Sequence, residues 1–212
     1  MPEAVSTNKR IPKVPTQQRS RERFEHILDC AETILEQGEI EEIAIYEVAD
    51  KAELQAQSVY RLFPSAAAIV YALAQRYLDR MTEKLMAADY SQNSTWQGNL
   101  EYGLTLTREF YQDYPLAMEL ILGSSVSKDV RIADRANVTR LAENAIQNLQ
   151  ERSGGMAIPI EQLEISIDIV DAIWSQSYFS QGGITDFYFR ESIRAATTYL
   201  ELYLPRHIAG QS

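Results

Sequence analysis

The chain has 212 residues, 45% of them hydrophobic and 24% charged, which is close to globular averages and excludes wholesale disorder. A single Cys excludes an internal disulfide or a multi-cysteine zinc site, and two His, at positions 26 and 207, exclude the common His-cluster metal motifs. No apolar run of about 18 residues is present and the first residues lack the apolar core of a secretory signal, so a cytoplasmic protein with no membrane partner is expected.

The net charge of −10 is unevenly spread. Residues 1–23 carry Lys9, Arg10, Lys13, Arg19, Arg21 and Arg23 against Glu3 and Glu22, whereas residues 24–63 hold ten acids against Lys51 and Arg61. Affinity for a phosphate backbone comes largely from Lys and Arg releasing counterions, so any nucleic-acid contact must be focused on a basic N-terminal arm and a few further positions.

Residues 1–15 contain Pro2, Pro12 and Pro15 and few apolar side chains, which predicts a flexible arm. After Thr16, a candidate N-cap, Phe24, Ile27, Leu28, Ala31, Ile34 and Leu35 keep helical spacing until Gly38. Ile45, Val48, Ala49 and Ala52 form a second, short periodic unit. Glu53-Leu54-Gln55 breaks it before Val59, Leu62 and Phe63, so residues 16–64 read as a three-helix domain containing a helix-turn-helix.

Pro64 biases Phe63 away from helical angles and Ser65 can cap a long helix in which Ile69, Val70, Leu73, Tyr77, Leu78, Met81 and Leu85 stay in phase to about Ala88. Tyr90 to Ser94 reads as a loop. Further helices are predicted over 95–113, 115–123, 128–152, 160–181 and 185–204, joined at Gly123-Ser124-Ser125, Ser153-Gly154-Gly155 and Gly182-Gly183. Ile165 to Ile169 alternates briefly, but Leu163, Val170, Ile173 and Trp174 restore a helical face. The fold class is all-α, with residues 65–212 forming a larger helical domain.

The order Phe24 to Leu35, Gly38, Val48-Ala49, Ala52, then Ser58-Val59-Tyr60-Arg61-Leu62-Phe63-Pro64-Ser65 running into Ala68-Ile69 resembles the DNA-binding domain of the TetR family of bacterial transcriptional regulators. In a helix-turn-helix the second helix anchors one face on the domain and presents polar side chains to a groove with the other. Val59, Leu62 and Phe63 suit the anchor, and Gln55, Gln57, Ser58, Tyr60 and Arg61 suit the reading face. The resemblance implies a phosphate contact for Tyr60, with Arg61 the most energetic single contact. Lys51, Arg19, Arg21 and Arg23 would bracket the DNA backbone.

Four positions depart from the family pattern. Ala44 stands where a capping Thr is frequent, a loss of ~1 kcal/mol, and Gln55 replaces a frequent capping Ser. Glu53 occupies a turn position that often holds Gly, at a cost of roughly 1 kcal/mol if its φ is positive, and Ala66 replaces a Lys expected near the phosphates.

Catalytic motifs are missing. Neither His26 nor His207 lies near a nucleophile elbow, Gly123-Ser124-Ser125 lacks the second flanking Gly, and no phosphate loop occurs. The carboxylate pairs Glu161 with Glu164 and Asp168 with Asp171 lack a Glu-x-x-His partner and read as solvated or ion-paired. Cys30 reads as a small packed residue. No enzyme activity, cofactor or metal is expected.

Aromatics at helical spacing are usually core, but the resemblance implies an effector pocket among the middle helices. Its candidate walls are Trp96, Tyr102, Phe110, Tyr114, Met118, Trp174 and Tyr178, whose hydroxyl and indole N–H groups would suit a small apolar or aromatic molecule. A two-fold dimer is expected through the last two helices, with Ile165, Ile169, Ile173 and Trp174 on one and Phe189, Ile193, Ala196, Leu200 and Tyr203 on the other. The expected function is a dimeric, ligand-responsive regulator that represses from double-stranded operator DNA. The alternative is a helical interaction protein of the same fold whose DNA reader is weakened or lost.

Overall fold

The computed structural model describes residues 11–38, 40–93, 95–123, 127–153 and 158–205. Lys9, Arg10, His207 and the expected connections at Ser124-Ser125 and Gly154-Gly155 lie outside the described residues. Among the described residues there are nine α-helices and no strand. None of these helices is long and apolar enough to cross a membrane. The chain divides into two compact units, residues 1–77 with 127–130, and residues 78–126 with 131–212.

The first unit contains α1 (Gln18–Leu35), α2 (Ile45–Lys51), α3 (Ala56–Leu62) and the beginning of α4 (Ala66–Met86). Of the periodic residues of α1, Phe24, Ile27, Leu28, Ala31 and Leu35 are buried as expected, and Ile34 is half-buried. Phe24 stacks on Phe63 at 4.5 Å between ring centroids, and Val48, Ala49, Val59, Leu62 and Ile69 complete the core. Gln17, not Thr16, is the N-cap of α1, and its side chain makes no capping bond.

A second correction concerns the arm. Pro12 is buried and the Lys13 amide donates to the Leu62 carbonyl at 2.8 Å, so residues 11–15 are docked at the end of α3. The physical reason is that a helix's last carbonyls have no partner within the helix, and this one takes an arm amide.

Between α2 and α3, Glu53 sits at φ 54, the one non-glycine with positive φ among the described residues. The Leu54 amide returns to the Ala49 carbonyl at 2.9 Å and closes the turn. Neither Ala44 nor Gln55 supplies a side-chain cap, so both short helices depend on tertiary burial. Arg76, only 10% exposed, ties α4 to α1: it donates to Glu25 Oε2 at 2.7 Å, Asp29 Oδ1 at 2.8 Å and Glu32 Oε2 at 3.0 Å. Tyr77 donates to the other oxygen of Glu32. Much of the acidity of α1 is therefore spent on this internal clamp.

The second unit holds the end of α4, then α5 (Trp96–Asp113), α6 (Pro115–Leu122), α7 (Lys128–Ser153), α8 (Ile160–Gln181) and α9 (Asp186–Leu200). Thr95 caps α5 by accepting from the Gly98 amide at 3.1 Å, and Pro115 opens α6 at a position where no amide is needed. Gly123 ends α6 because a Cβ there would fall 2.3 Å from the Glu119 carbonyl oxygen. Gly182 ends α8 at φ 71. The expected loop after α4 holds a 3-10 turn at Tyr90–Gln92, capped by Asp89.

Helices α8 and α9 pack along each other. Trp174 donates from Nε1 to Ser192 Oγ at 2.8 Å, and Trp174, Ala196 and Leu200 are all buried. These three therefore leave the expected dimer face: they build the core of their own chain. Ile165 and Tyr203 remain exposed, as do Phe179 and Phe187.

Candidate functional site

On the first unit, α3 divides as a reading helix must. Val59 and Leu62 are buried, while Gln55, Gln57, Tyr60 and Arg61 are exposed and Ser58 is half-buried. Tyr60 meets Tyr46 edge-to-face at 6.1 Å. Tyr46 is 69% exposed on the first turn of α2 and was not read from the sequence as a contact. The available signal was its position one residue off the apolar stripe Ile45, Val48, Ala49, Ala52, where a large aromatic has no core to enter.

Arg19 and Arg21 are exposed and Arg23 is half-buried. Arg21 donates from Nε to the Pro15 carbonyl at 3.2 Å, so part of its hydrogen-bonding capacity holds the arm. Lys51 is exposed but lines a shallow groove with Thr33, Glu42, Glu47 and Asp50. His26 sits by the Ala52 carbonyl at 3.2 Å, and burial pushes the Cys30 thiol pKa up, consistent with a packed residue.

The second unit holds a cavity of about 220 Å³. Of the seven wall residues read from the sequence, Trp96 and Trp174 line it. The other five are placed elsewhere. Tyr102 packs edge-on against Tyr90 at 5.4 Å; Phe110 packs against Tyr111 and Tyr114; Tyr114 is exposed at the junction of α5 and α6. Met118 is buried on α6, and Tyr178 donates to the Glu119 carboxylate. Helical periodicity separates inside from outside but does not say which interior positions border a void.

Neither indole N–H is free for a ligand. Trp96 Nε1 donates to the Pro205 carbonyl at 2.9 Å, and Trp174 Nε1 is held by Ser192. The polar groups of the wall include Tyr111 from α5, Asp134 and Asn137 from α7, and Asp171 from α8. Asp171, read from the sequence as solvated or paired, faces this cavity, while Asp168 takes Arg135 at 3.1 Å. Burial, with Asp134 and Asp168 nearby, pushes the Asp171 carboxyl up to about 8. Burial and Asp168 raise Asp134 to about 6 against the opposing pull of Arg131 and Arg135. Tyr111 is also pushed up, by burial and then by Asp171 and Asp134. Among the described residues no cluster of three or more His, Cys, Asp and Glu is arranged to hold a metal ion.

No family model and no curated protein matches the chain. Solved structures do. The fold is similar to that of a TetR-family transcriptional regulator from Streptomyces coelicolor, with a TM-score of 0.63 at 22% identity, covering 86% of this chain and 99% of that one. The chain has the TetR-family fold. Similarity extends to SmeT, the repressor of the Stenotrophomonas maltophilia multidrug efflux pump SmeDEF, with a TM-score of 0.61 at 17% identity over 89% of this chain and 93% of that one. It extends also to the TetR-family repressor AlkX from Dietzia, implicated in n-alkane biodegradation, with a TM-score of 0.56 at 15% identity over 83% and 95%. Within this TetR-family fold, the helix-turn-helix and the cavity fall in different compact units.

Proposed function

We propose that the chain is a DNA-binding transcriptional regulator, a repressor that releases its operator when a small molecule occupies the cavity of the second unit. The observation that carries the DNA reading is the split of α3: an anchored face of Val59 and Leu62 under an exposed face of Gln57, Tyr60 and Arg61. Tyr46 joins Tyr60 as a second aromatic hydroxyl available to a phosphate. SmeT and AlkX are repressors by name, which supports the direction of control.

A palindromic operator needs two readers at fixed separation, so the regulator acts as a two-fold dimer. The exposed positions Ile165, Ala172 and Phe179 of α8, with half-buried Ile169 between them, follow one helical stripe suited to that contact, and Phe187 adds an exposed aromatic at the start of α9. Coupling from effector to reader has a continuous element available, since α4 runs unbroken from residues of the first unit into residues of the second. Placing Glu at Ile165 and Phe179 should yield a monomer by sedimentation at micromolar concentration. An unaltered dimer would exclude this face.

The test is salt-dependent binding of the purified chain to the intergenic DNA beside its own gene. Sequence-specific binding that weakens steeply with salt is expected, and Arg61→Ala should cost ~1 to 3 kcal/mol in specific affinity. Arg19→Ala should instead lower affinity for every sequence and flatten the salt slope. Equal affinity of the parent and Arg61→Ala at every salt concentration would overturn the assignment. It would favour the second reading, an interaction protein of this fold, for which the positive φ at Glu53 and the uncharged Ala66 are the supporting observations.

A further inference from the structure

The cavity of the second unit is apolar over most of its wall, with Leu100, Leu104, Val138 and Leu141 beside the two Trp rings. Its ionisable groups are Asp134, Asp171, Tyr111 and Tyr90, and no Lys, Arg or His is among its described lining residues. Asp134 and Asp171 make no hydrogen bond or ion pair with any described residue. Arg131 and Arg135 act on Asp134 only from a distance, and Arg135 is already engaged by Asp168 at 3.1 Å. A carboxylate withdrawn from water without a compensating partner is costly, so in the empty cavity such a group holds its proton, and ionising it calls for a positive charge to be brought in.

We infer that the cavity takes a small organic monocation, a protonated amine carried on a single apolar or aromatic ring, with Asp171 as its principal anchor and Asp134 as the second. This rests on the reading of the cavity as the effector pocket and specifies the effector's chemistry. Size supports a single ring, because an apolar cavity of about 150 Å³ already holds benzene, and this one is about 220 Å³. The rings of Trp96, Tyr111 and Trp174 supply both apolar area and electron-rich surfaces that attract a cation. A neutral apolar effector gains nothing from ionising the two carboxyls, and an anion would be repelled by them.

The groups acting on Asp171 fix a proton linkage. Asp134 and Asp168 are its charged neighbours and Tyr111 its uncharged one, and with burial they hold its pKa at about 8, so it is mostly protonated in the empty cavity at neutral pH. An ammonium stabilises the ionised form, so binding expels a proton and affinity rises with pH until about 8.

The chain contains two Trp and both line the cavity, so intrinsic fluorescence reports on it directly. The experiment titrates the full chain with 2-phenylethylamine, 2-phenylethanol and 3-phenylpropionate, which share a ring and differ in charge. The amine should bind about tenfold or more tighter than the alcohol, and the carboxylate weakest, as expected for a charge-assisted bond in a largely apolar pocket. Its affinity should rise roughly tenfold between pH 6.5 and 7.5 while that of the alcohol stays flat. Asp171→Asn, which mimics the protonated side chain and should fold normally, should remove both the amine preference and its pH dependence. Asp134→Asn should weaken the preference.

Equal binding of amine and alcohol, or a preference surviving in the Asp134→Asn, Asp171→Asn double variant, would overturn the cation assignment and leave the pocket standing. No fluorescence response to any of the three would overturn the pocket reading and the inference together.

Discussion

The two units handle acidic side chains in opposite ways. In the first, Glu25, Asp29 and Glu32 share one guanidinium, Arg76, at 2.7, 2.8 and 3.0 Å, and helix α1 is tied to α4 by it. Burial alone would lower the Arg76 pKa, but Glu25 and Asp29 reverse this and raise it. In the second, Asp134 and Asp171 face a cavity with no described basic partner and are pushed up to about 6 and about 8. The same side chains are structural where their charge is compensated inside the fold. Where it is not, the carboxyls hold their protons more tightly, and ionising them costs stability.

The largest expected effect tests the uncompensated side. Because the folded pKa of Asp171 is raised above its unfolded value, the folded state holds the proton more tightly. Its contribution is therefore most favourable below about pH 4 and is lost as pH rises toward about 8. Asp171→Asn should flatten that fall and leave the variant more stable than the parent by several kcal/mol at pH 8, at about 1.4 kcal/mol for each unit by which the carboxyl is raised, measured by urea unfolding across pH. Parallel stability curves would erase the contrast.

Next in size is the compensated side. Arg76→Met should destabilise the chain by about 2 kcal/mol, less than a fully buried network would lose because Glu25 and Asp29 remain largely solvated. Glu32, at 16% side-chain exposure, is the partner left desolvated, so adding Glu32→Gln should recover part of the loss in a double-mutant cycle. Strict additivity would mean that the clamp is not a unit.

The smallest effect isolates backbone from charge in the first unit. Glu53→Gly should relieve the positive φ and raise stability by up to about 1 kcal/mol, since the greater freedom of Gly in the unfolded chain offsets part of the gain. A loss in thermal unfolding would show that the Glu53 side chain contributes more than its backbone costs.

The fold was legible where local signals agree. Helix α5 was expected over 95–113 and runs Trp96–Asp113, because Thr95 can cap and Tyr114-Pro115 forces a restart. The helix-turn-helix was equally readable, including the strain at Glu53, since Ala49, Ala52 and Val59 fix which faces turn inward. The last helix ends at Leu200 rather than Leu204, a boundary that no Gly or capping residue marks.

The cavity was much less readable. Its wall converges from α4 to α9, and periodicity along any one helix cannot say whether facing side chains meet or leave a gap. Tyr102 and Tyr111 share one helix, yet only Tyr111 reaches the void. Asp171 looked like half of a surface pair with Asp168. Three residues turn the helix by most of a revolution but not all of it, enough to leave Asp168 with Arg135 and direct Asp171 inward.

The central claim is that a cation in the second unit controls DNA reading by the first, and one measurement addresses it directly. Fluorescence anisotropy of labelled intergenic DNA would be titrated with the chain at fixed salt, with and without saturating 2-phenylethylamine. A ligand coupled to the reader by ~1 to 3 kcal/mol changes affinity about 5- to 150-fold. The account predicts a weakening in that range for the parent and none for Asp171→Asn. Identical binding curves for the parent with and without the bound amine would contradict it.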